Sequence, residues 1–113
     1  MMLAQHKNGS LVIVKPLERR LDADSSRYFK EKMAEIINRG ESQILLNLSE
    51  VQFVDSSGLG ALLSLLRQLG EGGNLMLCGI AENVMNLFRL TRLNRVFQIY
   101  PDEAQALAAA ATS

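Results

Sequence analysis

Two hydrophobic periods alternate along this chain, and each change of period marks an element. Met2 to Lys7 and the β-branched run Ser10 to Val14 flank Asn8-Gly9, two residues that both accept positive φ, so the pattern predicts an opening antiparallel hairpin. From Ser25 to Arg39, Phe29, Met33, Ile36 and Ile37 recur at helical spacing, with Asp24 placed to cap and Gly40 placed to terminate. Gln43 to Leu48 is a short continuous apolar run, the signature of a strand covered on both faces. The apolar run then resumes at Val51 to Val54, strand-like, and breaks at Asp55-Ser56-Ser57-Gly58. Leu59, Leu62, Leu63, Leu66 and Leu69 form the stripe of a second helix, closed by Gly70 and followed by Gly72-Gly73. Asn74 to Cys78 reads as another buried strand, and Glu82 to Leu90 as a helix carrying Val84, Leu87 and Phe88. Val96 to Tyr100 reads as a short strand ended by Pro101, and Asp102 to Ala110 as a last helix with acids in its first turn, fading into an alanine-rich tail.

Strands that alternate with helices require right-handed crossovers and a mainly parallel sheet. The expected class is therefore α/β: a mixed, mainly parallel β-sheet with an N-terminal antiparallel hairpin and about four helices. Residues 1–113 are expected to form one domain, because 113 residues with 48% hydrophobic content fill a single ordinary core.

Charge removes some classes of function. Twelve basic residues balance twelve acidic ones, so no net field draws the chain to nucleic acid or to an anionic membrane. No apolar stretch reaches the roughly 18 residues needed to span a bilayer, and Met1 to His6 lack the features of a secretory signal. Cys78 has no second cysteine to pair with and sits in an apolar run, as a buried thiol in a reducing compartment would. The chain is expected to be cytoplasmic.

The chemistry concentrates where the second helix begins. Asp55, Ser56 and Ser57 are all good N-cap residues, and one of the three is expected to cap. Gly58 and Gly60 each cost about 1 kcal/mol relative to alanine inside a helix, which points to a tight turn, close packing, or a bare platform beside Ser56. Enzymatic readings find little support. His6 lies on the first predicted strand with nothing directing it toward Ser56, and a serine nucleophile needs a base within hydrogen-bond reach. One Cys and one His give no metal-ligand spacing, and Gly58-Leu59-Gly60 lacks the lysine of a phosphate-binding loop. No catalytic residue, metal or cofactor is expected.

The segment Asp55-Ser56-Ser57-Gly58-Leu59-Gly60, preceded by Ile44 to Leu48 and Val51 to Val54, resembles the signature of the STAS-domain anti-sigma factor antagonists. The resemblance extends through Leu21-Asp22, the Gly-rich turn before Leu75 to Cys78, and the Val84 to Leu93 region. It implies a small α/β protein that binds an anti-sigma factor, a serine kinase with a histidine-kinase-like ATP site, and so frees a sigma factor. It also implies phosphorylation at Ser56, with Ser57 the less favoured acceptor, reversed by a metal-dependent serine phosphatase. Asp22, Asp55, Ser56, Ser57, Gly58, Leu59 and Gly60 would then form the partner-binding surface of a protein that is monomeric when free. One departure is Glu18-Arg19-Arg20 ahead of Leu21-Asp22, where members commonly have a glycine; the arginines read as a solvated loop or as a different charge pairing with the partner. The alternative in the same fold is a STAS subunit or regulatory module of a larger assembly, such as a transporter or stress-signalling complex, without a kinase cycle.

Overall fold

The computed structural model describes residues 2–111. Leu3–Asn8 (β1) and Leu11–Pro16 (β2) form the hairpin, with Asn8 paired to Leu11, so the connecting residues are Gly9 and Ser10. The turn therefore falls one residue later than Asn8-Gly9. Gly9 alone takes positive φ, at 64°, and glycine at the first loop position is the II′ pattern that matches strand twist.

Ser26–Asn38 (α1), Gln43–Asn47 (β4), Ser56–Leu69 (α2), Asn74–Cys78 (β6), Glu82–Leu90 (α3), Gln98–Tyr100 (β7) and Glu103–Ala111 (α4) follow, with two further strands, Arg20–Leu21 (β3) and Phe53–Val54 (β5), lying outside the main sheet. The main sheet runs β1-β2-β4-β6-β7, antiparallel only at β1-β2. Because β2, β4, β6 and β7 advance in one direction across the sheet, right-handed crossovers place α1, α2 and α3 on the same face. Strand alternation then divides the core in two. Val12, Val14, Ile44, Leu46, Leu75 and Leu77 pack under those helices, against Phe29, Met33, Leu62 and Phe88. Leu11, Ile13, Leu45, Met76 and Cys78 face the other way and are covered by α4 through Ala106.

Several elements differ in detail from the pattern. Asp24 does not cap α1; the helix starts at Ser26 after Ser25, with no side-chain capping bond, and Asp22 Oδ1 takes the amides of Asp24 at 3.1 Å and Ser25 at 3.2 Å in the turn that leads into it. In α2 the buried positions are Gly58, Leu59, Ala61, Leu62 and Leu65, while Leu63, Leu66 and Leu69 lie at the margin of the core. Leu65 completes the i, i+3, i+4 face that begins at Ala61 and Leu62, and the predicted stripe was drawn too far round the helix. Before β7, Leu93–Arg95 forms a 3-10 turn, so the last strand begins at Gln98 rather than Val96. The alanine-rich end of the described chain remains helical through Ala111. Among the described residues, no helix is long and apolar enough to cross a membrane.

Candidate docking and modification site

A two-stranded parallel sheet, β3-β5, builds the site. Arg20 pairs with Phe53 and Leu21 with Val54. The Arg19 carbonyl accepts the amides of Gln52 at 2.7 Å and Phe53 at 3.1 Å, and the Leu21 carbonyl accepts the Asp55 amide at 3.3 Å. Alternation buries Leu21 and Val54 and turns Arg20 and Phe53 outward. Continued by one residue, the register sets Asp22 beside Asp55, and so joins two acids that are far apart in the chain. The Asn83 Nδ2 donates to the Gln52 carbonyl at 2.7 Å and ties α3 to the same strand.

Of the three candidate caps, Asp55 is the one used. Its extended backbone and its Oδ1, which accepts the Gly58 amide at 3.0 Å, are those of an N-cap residue. Ser56 and Ser57 become the first two helical residues, both exposed, and their own amides have no acceptor within the helix. Gly58 and Leu59 turn inward. A Cβ on Gly58 would collide with the Leu21 carbonyl oxygen and lie 2.8 Å from Val54 Cγ1, so the glycine is what lets the helix start against β3. Leu59 is buried in the core, and of the proposed surface residues these two support the loop rather than face solvent. Gly60 is exposed with nothing within 4 Å of a Cβ position, so packing does not require it.

Asp22 is held by many donors. Oδ2 accepts Arg20 Nε at 2.9 Å, Oδ1 accepts the Asp24 and Ser25 amides, and the Ser25 hydroxyl lies 3.2 Å from the same oxygen. The Arg20 guanidinium, followed by the Ser25 and Asp24 donors and opposed by partial desolvation, holds this carboxyl below the usual carboxylate range. The Ser25 Oγ also donates to the Arg20 carbonyl at 2.9 Å and accepts the Asp22 amide at 3.0 Å. Arg20 is thus not part of a solvated loop. Its Cζ stands 4.1 Å from the centroid of the half-exposed Phe53 ring, a stacked contact that the two residues' separation in sequence concealed.

The site presents an exposed pair of hydroxyls on a helix N-terminus, next to a fixed carboxylate pair and an arginine stacked on an aromatic ring. Such a face has the chemistry to accept a phosphoryl group and to meet a second protein.

A family model for the STAS domain matches residues 2–106. The chain is 32% identical over 105 residues to the anti-sigma F factor antagonist of Paenibacillus polymyxa, covering 91% of this chain and 88% of that protein. The crystal structure of an anti-sigma factor antagonist from Mycobacterium paratuberculosis shares the fold with a TM-score of 0.86 at 19% identity, over 96% of this chain and 92% of that one. The Bacillus cell fate determinant SpoIIAA, solved in its phosphorylated form, shares it with a TM-score of 0.71 at 20% identity, over 96% of this chain and 99% of that one. The antiparallel hairpin, the parallel strands behind it and the serine-bearing start of α2 all fall inside the matched region, and the chain belongs to the STAS domain family.

Proposed function

We propose that this protein is a cytoplasmic, non-enzymatic anti-sigma factor antagonist that works by partner switching. With Ser56 free, the β3-β5 face and the start of α2 bind an anti-sigma factor serine kinase, and the sigma factor held by that kinase is released. The kinase transfers the terminal phosphoryl group of ATP to Ser56 Oγ, the modified face no longer binds, and a metal-dependent serine phosphatase resets it.

The observation that carries this reading is the placement of Ser56: the first residue of α2, exposed, directly after the aspartate that caps the helix. A phosphoryl group there adds about −1.5 to −2 charges at neutral pH, where free amides and the helix dipole favour an anion, so the fold tolerates it. The partner does not. A surface shaped for a neutral hydroxyl offers the dianion no counter-charge of its own while stripping its water, and each 1.4 kcal/mol lost is about tenfold in affinity. The relatives named as anti-sigma factor antagonists, and the solution of SpoIIAA in both unphosphorylated and phosphorylated forms, support the same reading.

The test is to incubate the protein and ATP with each ATP-binding anti-sigma factor kinase encoded in the same genome and to map the product by mass spectrometry. Phosphate is expected on Ser56, with loss of the complex on native gels. Modification at Ser57 alone, or none with any kinase, overturns the assignment.

A further inference from the structure

Arg20 is a cation fixed in place on a largely acidic face. Asp22, Asp24 and Asp55 surround the strand ends, with Glu18 on the preceding loop. The Phe53 ring beneath Cζ and the bond from Nε to Asp22 hold the guanidinium, and β3 pairing with the Ser25 hydrogen bond to its carbonyl fixes the main chain. Only Nε is bonded, to Asp22 Oδ2, and the side chain is 60% exposed. Among the described residues both Nη groups are uncommitted, and these are the groups with which arginine grips a phosphate in bidentate fashion.

The direction of the side chain matters as much as its freedom. Arg20 lies opposite Phe53, yet its Nε meets Asp22, the residue that follows β3. The guanidinium therefore leans toward the ends of both strands, where Asp55 and then Ser56 follow Val54. Asp22 does not depend on Arg20 for its position, since Oδ1 keeps the two backbone amides. The fork can engage a new acceptor without loosening the loop.

We propose that Arg20 is the intramolecular phosphate ligand of the switch: when Ser56 is phosphorylated, the Nη groups of Arg20 bind the phosphoryl oxygens. This rests on Ser56 being the modified residue. The modification then acts twice on the docking face, adding an anion and withdrawing into an internal ion pair the cation that stands on the Phe53 ring. An acidic group on the partner that meets Arg20 in the free form loses its counterpart at the same moment.

The experiment uses the full chain with phosphoserine installed genetically at position 56, so that no kinase is needed. The second ionisation of the phosphoserine is followed by 31P NMR in the wild type, in Arg20→Gln, and in Arg19→Gln as a control for loss of a nearby exposed charge. The expected result is a phosphate pKa about one unit lower in the wild type than in Arg20→Gln, with Arg19→Gln matching the wild type. A 31P–15N correlation across the hydrogen bond to the Arg20 guanidinium, measured in the wild type alone, gives the answer even where the Gln variant fails to fold. Equal ionisation with and without Arg20, or absence of the correlation, overturns the proposal. Because the phosphate is placed synthetically, a kinase that ignores Ser56 would defeat the partner-switching reading and leave this measurement standing.

Discussion

At the scale of single residues, two glycines about half a turn apart have opposite reasons for being there. Gly58 is enclosed: a methyl group would strike the Leu21 carbonyl and Val54. Gly60 is open to solvent, so alanine there meets nothing and improves helix propensity. Gly58→Ala is expected to destabilise the fold by about 1–3 kcal/mol, the usual range for overpacking, and to push β3 away from α2. Gly60→Ala is expected to stabilise it by up to about 1 kcal/mol. Urea denaturation of the two variants checks both signs. A neutral Gly58→Ala would mean that the β3-β5 sheet yields easily and is no fixed platform. If Gly60→Ala is stable yet weakens the partner complex, the bare backbone at Gly60 serves docking rather than folding, a distinction that helix propensity alone could not draw.

At the scale of elements, α4 is the lone helix over its face of the sheet among the described residues, and it is short and alanine-rich. A polar contact ties its start to β4: Asn47 Nδ2 donates to Glu103 Oε2 at 2.6 Å. Beneath it lies Cys78, whose thiol is pushed up to about 11 by burial, then by the Glu103 and Asp102 charges. An acid whose folded pKa is raised keeps its proton longer in the folded state, so its contribution is full below the ordinary value of 9.0 and is lost as pH rises through about 11. The stability difference between wild type and Cys78→Ala should therefore shrink over that window, a trend read from denaturation curves at stepped pH. Native Cys78 should also resist alkylation at about pH 8, because the thiolate is the reactive form and the thiol is covered. Glu103→Ala should raise the labelling rate about tenfold or more, the equivalent of a lost hydrogen bond to a charged group. Glu103→Gln, which removes the charge but keeps an acceptor oxygen, separates the electrostatic share of that rise from the opening of α4.

The same scale explains what the sequence could and could not disclose. Strands such as Gln43–Asn47 and Asn74–Cys78 are buried on both faces, so they print as unbroken apolar runs and were legible. Phe53–Val54 lies inside the strand-like run Val51 to Val54, but its partner Arg20–Leu21 is two residues long, too short for any period to register, and the pairing of the two was not readable from either segment. Ser56 at the helix start was readable from capping chemistry. The choice of Asp55 over the serines as the cap needed the backbone, as did the start of α1 after Ser25 without a side-chain capping bond from Asp24. The Arg20–Phe53 stack depends on a pairing between distant segments, which no local pattern encodes.

At the scale of the whole molecule, charge decides how far the switch can reach. The chain is neutral, with twelve cations and twelve anions, and its extents are 31 × 26 × 24 Å. Fields between exposed charges fade over about 8 Å at physiological salt, well short of those dimensions, so a charge at position 56 is felt on its own face and hardly at α4. On the proposed reading, a phosphoryl group at Ser56 works by contact, not by reshaping the molecule. Ser56→Asp places a single negative charge at the start of α2, where the helix dipole favours it by about 0.3–1 kcal/mol. Its thermal midpoint is expected to equal or slightly exceed that of the wild type, while its affinity for the kinase that modifies Ser56 falls at least about tenfold, the equivalent of 1.4 kcal/mol of unmatched charge. Ser56→Ala is expected to bind as the unmodified protein does and to stay bound in the presence of ATP. Calorimetric titration of both variants, alongside thermal scans, separates contact from conformation. If the Asp variant binds with wild-type affinity, one charge is too little to open the interface; if it loses affinity together with its thermal midpoint, the switch acts through the fold and the contact mechanism fails.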